Sequence, residues 1–141
     1  RVLGMSLPTR TGTPAFAQGR RVLKINATHF WILAAEDDDP TRELALALSP
    51  EIGTLTPLSH SRICIRVQGL AARDVLSACI PLDFGIDAFP VSRFASTGLH
   101  HTPVLIERTG EDRFDIYANR TFAHSIWQWL ADAALGISDN G

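Results

Sequence analysis

The stretch RVQGLAARDVLSACIPLDF, residues 66–84, constrains the fold of this chain more than any other. Just ahead of it and into it, Ile63, Ile65 and Val67 alternate with Arg62, Cys64 and Arg66. Successive side chains of a strand point to opposite faces, so this is a strand with one buried face. Gly69 then allows a sharp change of direction that a Cβ would resist. Beyond it, Ala72, Val75, Leu76 and Cys79 recur at i, i+3, i+4 and i+7, the single apolar stripe of an amphipathic helix. Arg73, Asp74 and Ser77 fall on its polar side, and Pro81 stops it. The unit holds no nucleophile beside a base, no clustered metal ligands and no phosphate loop. Its chemistry lies elsewhere in the chain or in another chain.

The flanking sequence predicts what this unit packs with. Residues 1–20 are rich in Gly, Pro, Thr and Arg and read as an extended arm. Strands are predicted over 21–25 and 30–35, joined by a hairpin connection at Asn26-Ala27-Thr28. The acidic run Glu36-Asp37-Asp38-Asp39 precedes Pro40, which predicts a helix with Asp39 at its N-cap, running to about Leu48. A short strand over 53–58 is a further candidate. After the central unit, strands are predicted over 93–99, 103–108 and 113–118, the last two joined by a turn at Thr109-Gly110-Glu111-Asp112. A final helix over 121–135 carries Phe122, Ile126, Trp129, Leu130 and Ala133 as its core stripe, with Gly136 as its C-terminal cap.

This order is β-β-α followed by β-α-β-β-β-α. It predicts an α+β fold: an antiparallel sheet with helices packed on it, a ferredoxin-like βαββ unit with additions. The expected organisation is an arm over 1–20, a single α+β domain over 21–136 and a tail over 137–141.

Composition narrows the functional classes. At 141 residues the chain can bury a core without disulfides or metal. Thirteen basic residues against fifteen acidic ones leave a formal charge of -2, which gives no electrostatic footprint for nucleic acid or for an anionic membrane surface. No apolar run reaches the ~20 residues of a membrane-spanning helix. Cys64 and Cys79 form no Cys-x-x-Cys pair and read as reduced thiols in or near the core. The chain opens on Arg1 with no signal-peptide pattern, from which a trimmed N-terminus and a cytoplasmic protein are expected.

The candidates for chemistry are few. His29, His60, His100, His101 and His124 are the histidines. Adjacent strand residues point apart, so His100 and His101 do not readily share a metal. Ser59-His60 lacks an orienting acid for a nucleophile–base pair. The acidic run before Pro40 lacks further ligands at metal spacing. Asn26-Ala27-Thr28 and Asn119-Arg120-Thr121 match the glycosylation sequon, which means nothing without a secretory signal. No catalytic, cofactor-binding or metal-binding residue is assigned. Trp127 lies on the flank of the last helix's core stripe. It is either a boundary residue half-covering the sheet edge or a side chain buried against another subunit.

Taken in order, VQGLAARDVLSACIPLDF, AFPVSRFASTGLHHTPVLIER and FDIYANRTFAHSIWQWLADA resemble the gamma-subunit family of heterotetrameric sarcosine oxidases. The family pattern falls on Gly69 through Leu76, Pro81-Leu82-Asp83, Phe89-Pro90, Thr97 through His101, and Thr121 through Leu130. The chain has NATHFW at residues 26–31, where the family tends towards Gly-Pro-Asp-Glu-Trp. The resemblance implies a fold similar to part of the folate-binding aminomethyltransferase fold. It implies a complex that oxidatively demethylates sarcosine to glycine, in which the alpha, beta and delta subunits are the partners. Those partners would carry FAD, FMN, NAD and the tetrahydrofolate site, and this chain no cofactor. A structural subunit would then dock through Trp127, His101 and the arm before Arg20.

The rival reading is a stand-alone folate-binding, one-carbon-transfer module. That would need an acid to hold a pterin ring, for which Asp83, Asp87 and Asp115 are candidates. An unrelated ferredoxin-like protein is the third reading, since fold alone does not decide function.

Overall fold

In the first half of the chain, a turn at Gln18-Gly19 folds the expected arm back into a sheet. The computed structural model describes residues 6–140. Among them are two antiparallel sheets and three α-helices, distributed over two units, Arg1–Leu58 and Ser59–Gly141. One domain over 21–136 was expected. The division found lies at Leu58, and the expected boundary at residue 20 falls inside the first unit.

The first unit is a three-stranded sheet with one short helix. Strands β1 (Ala15–Ala17), β2 (Arg20–Lys24) and β3 (Phe30–Leu33) are ordered β1-β2-β3. Residues 1–5 of the expected arm lie outside the described residues, while its end is strand β1. The cause is local. Gln18 and Gly19 adopt φ of +52° and +77°, the left-handed pair that a two-residue hairpin needs. The β2–β3 connection is closed by Asn26, whose Oδ1 accepts from the backbone N–H of Thr28 and of His29, each at 3.0 Å. Val22 and Leu23 are both fully buried, so β2 is covered on both faces. Val22 packs with Leu44, Phe30, Ile32 and Leu55.

Helix α1 (Thr41–Ala47) starts one residue later than predicted. Pro40 stands at the N-cap, and Asp39 instead accepts from the Thr41 N–H at 2.9 Å. The Thr41 hydroxyl, and after it that backbone bond, hold the Asp39 carboxyl below its ordinary range. The predicted strand over 53–58 does not form: those residues carry neither helix nor strand.

The second unit follows the predicted β-α-β-β-β-α order. Strand β4 (Arg62–Gln68) leads to α2 (Ala72–Cys79). Strands β5 (Phe94–Leu99), β6 (Thr102–Gly110) and β7 (Arg113–Asn119) then form a meander. A 3₁₀ turn (Arg120–Phe122) opens into α3 (Ala123–Ser138). The sheet order is β4-β7-β6-β5, antiparallel throughout. In a ferredoxin-like sheet the first strand is internal. Here β4 is an edge of this sheet, so the ferredoxin-like order along the chain does not carry over to the order across the sheet.

One face of this sheet meets both helices. Ile106, Phe114, Ile116, Leu76 and Ile126 are fully buried there, with Val75, Cys79 and Leu130 nearly so. Each large aliphatic or aromatic side chain so buried contributes about 1.5–3 kcal/mol. All four predicted stripe residues of α2 are in this core. The alternation on β4 is also as predicted, with Ile63, Ile65 and Val67 packed against the core. The same alternation corrects the reading of Cys64 as a core thiol: it is exposed, while Cys79 is buried.

Three further details differ from expectation. Strand β6 runs on to Gly110 through a bulge at 108–110, which shortens the hairpin turn to Glu111-Asp112. Gly136 lies inside α3 instead of capping it. Ile137 still packs against the core, and that burial outweighs the ~1 kcal/mol helix cost of a glycine. Phe122 falls in the 3₁₀ turn, out of phase with the stripe, and is 40% exposed. No helix of the described residues is long and apolar enough to cross a membrane.

Candidate functional site

The second unit carries an apolar groove lined by its own residues. Gly69 creates one wall. Its φ is +125°, its N–H donates to the Asp112 carbonyl at 2.9 Å, and its carbonyl accepts from the Ala72 N–H at 3.0 Å. The chain therefore leaves β4, turns across the tip of the β6–β7 hairpin and enters α2 within three residues. The turn leaves Leu70 90% exposed. The opposite wall is α3, where Trp127, Ala131 and Ala134 recur at i, i+4 and i+7 beside the core stripe. Ile65, Val67 and Val75 form the floor with Leu130, and the groove encloses about 450 Å³.

Trp127 is 63% exposed in the chain on its own. It stands over the edge strand β4 with most of its surface open, so both readings left by the sequence, a cover for the sheet edge and a contact for another subunit, place it on this groove. An exposed tryptophan beside an apolar groove is a feature that interaction surfaces share. The sequence signal for Trp127 was its position off the core stripe. Leu70 gave no signal, because its exposure depends on the backbone direction that Gly69 imposes.

His101 is not among the residues lining this groove. It shares the two-residue β5–β6 turn with His100. Their φ values are +69° and +44°, the mirrored hairpin geometry that usually selects Asn and Gly. The His100 ring meets Trp129 edge-on, with centroids 5.1 Å apart. His29 sits in the β2–β3 turn, its Nδ1 3.1 Å from both Asn26 Oδ1 and Thr28 Oγ1. His60, beside Ser59, and His124 are exposed. Among the described residues, no three His, Cys, Asp or Glu side chains come together to hold a metal.

The acidic residues have other partners. Asp38 takes both Nε and Nη2 of Arg20, the latter at 2.7 Å, and Glu43 accepts from Nη1 at 2.8 Å. The acidic run thus closes on a nearly buried guanidinium. Arg20 holds the Asp38 carboxyl below its ordinary range, chiefly through their hydrogen bonds, and its own pKa is raised in turn. Asp83 accepts from the Gly85 N–H at 2.8 Å, and Asp87 is exposed in the same loop. Asp115 is buried on β7, gripped by Arg66 through Nε at 2.8 Å and Nη2 at 2.9 Å. The three acids considered for a pterin do not converge: two lie in one loop and the third faces away from the helices. Both sequon asparagines cap local turns, Asn26 as described and Asn119 by accepting from the Thr121 N–H at 3.0 Å.

One residue the sequence reading passed over organises this unit. Arg108 is fully buried, and its hydrogen-bond acceptors are the carbonyls of Phe84, Phe89, Gly110 and Glu111. Burial pushes its pKa down, with the neighbouring Arg73 adding to the effect. An arginine remains charged even so.

Comparison with known proteins matches this arrangement to one family. Residues 18–141 match the family described as the GCVT N-terminal domain. The gamma subunit of sarcosine oxidase from Arthrobacter sp is 36% identical over 132 residues, which are 93% of this chain and 65% of that protein. The gamma subunit from Corynebacterium sp. (strain P-1) is 34% identical over the same shares. The chain thus spans just under two thirds of the length of these curated relatives. A solved chain of heterotetrameric sarcosine oxidase from Corynebacterium sp. U-96, in complex with pyrrole 2-carboxylate, superposes with a TM-score of 0.85 at 32% identity, over 93% of this chain and 68% of that one. The matched span takes in the Gly69 turn, the groove and both helices around it, and the chain therefore belongs to the GCVT N-terminal domain family and, within it, to the sarcosine oxidase gamma-subunit family.

Proposed function

We propose that the chain serves as the gamma subunit of a heterotetrameric sarcosine oxidase, the complex that oxidatively demethylates sarcosine to glycine. In this reading its role is assembly. The FAD, FMN, NAD and tetrahydrofolate chemistry belongs to the alpha, beta and delta subunits, and the complex is cytoplasmic. The observation that carries the reading is the match to sarcosine oxidase gamma subunits over 93% of the chain at 34–36% identity. The groove between Leu70 and Trp127 supports it as the docking face. An exposed apolar surface of that kind is ordinarily covered by a partner.

The test is an affinity purification of the tagged chain from its native cells, followed by an absorbance scan of the eluate. The expected result is a flavin spectrum with larger proteins in fixed ratio and sarcosine-dependent oxidation. A colourless, solitary protein overturns the reading. Titration with tetrahydrofolate then tests the stand-alone one-carbon module, for which binding by the lone chain is the required outcome.

A further inference from the structure

We draw no further inference here: the strongest candidate, the apolar groove between β4, the start of α2 and Trp127 on α3, belongs to the docking face already described, and nothing in the structure shows which segment of a partner covers it.

Discussion

The guanidinium carbon of Arg108 lies 5.1 Å from the centroid of the Phe114 ring, on the same buried face of neighbouring strands. Phe114 in turn meets Phe84 edge-on at 5.5 Å, and Phe84 meets Phe89 at 6.0 Å. Arg108 donates to the carbonyls of both Phe84 and Phe89, at 3.2 and 2.7 Å. A loop without helix or strand is thereby fastened to the sheet by one cation and three rings. The arrangement is charge-assisted and planar, which suits arginine and not lysine.

Replacing Arg108 leaves buried carbonyls without donors. Arg108→Met is expected to lower the unfolding free energy by about 3 kcal/mol, because each orphaned buried acceptor costs about 1–3 kcal/mol. Arg108→Lys is expected to recover little, since an ammonium cannot reach both the loop and the hairpin turn. Urea unfolding measures both. A loss under about 1 kcal/mol in Arg108→Met would show that the loop is held by its aromatic contacts alone.

Two glycines are expected to respond with opposite sign. Gly69 has a φ of +125°, and a Cβ there would meet nothing within 4 Å, so the penalty for alanine is purely conformational. Gly69→Ala should destabilise by about 1–3 kcal/mol. Gly136 also has open space around it but lies in a helix interior, so Gly136→Ala should stabilise by about 0.5–1 kcal/mol. Thermal melts of the two variants against the parent chain check both signs.

The Arg20–Asp38 pair predicts an acid limb. The folded-state pKa of Asp38 lies below its ordinary 3.8, so the unfolded chain binds the proton more readily. Its stabilisation is fully present above that ordinary value and is lost as pH falls through the lowered one. Urea midpoints between about pH 2 and pH 6 should therefore fall more steeply on acidification in the parent chain than in Asp38→Asn. Equal slopes would remove Asp38 as the source.

Trp127→Ala separates docking from folding. With Trp127 63% exposed, the substitution should change the stability of the isolated chain by less than about 1 kcal/mol. Co-purification of larger subunits should fall sharply. Unfolding of the variant would make Trp127 a core residue. Unchanged co-purification would move the docking face off the groove.

The two thiols should differ in the isolated native chain. Cys64 is exposed on β4, whereas Cys79 is buried under α3, where burial raises its pKa. A maleimide is expected to label Cys64 rapidly and Cys79 only on unfolding. Mass spectrometry of the labelled peptides reads this directly.

The elements that could be read from the sequence are those whose signal is periodic and local. The β4 alternation and the α2 stripe placed Ile65, Val67, Val75 and Cys79 correctly because burial on one face writes itself into the spacing. The β1 strand escaped notice because Ala15–Ala17 is three residues of weak propensity, formed only because Gln18-Gly19 turns the chain back. Gly136 misled because helix length was decided by Ile137 reaching the core. Arg108 was invisible for a different reason. In VLIERTG it reads as the polar end of a strand, and its acceptors come from segments far apart in sequence. The groove was half legible: Trp127 was marked by its position off the core stripe, but Leu70 depends on a backbone direction that spacing does not encode.

Strand β4 pairs with β7 in a register that joins Arg62 to Asn119 and Gln68 to Arg113. Everything between them must be synthesised before that pairing exists. The β5–β6–β7 meander closes through two short turns, so its contacts are local and early. The β4 pairing closes a loop that is much longer, which makes it entropically late. On a ribosome, Ile63, Ile65 and Val67 therefore emerge as the apolar face of a strand with no sheet to join. Until residue 119 appears, the edge of β4 that β7 will cover has no partner in this sheet, and an unpaired strand edge is what neighbouring chains can pair with.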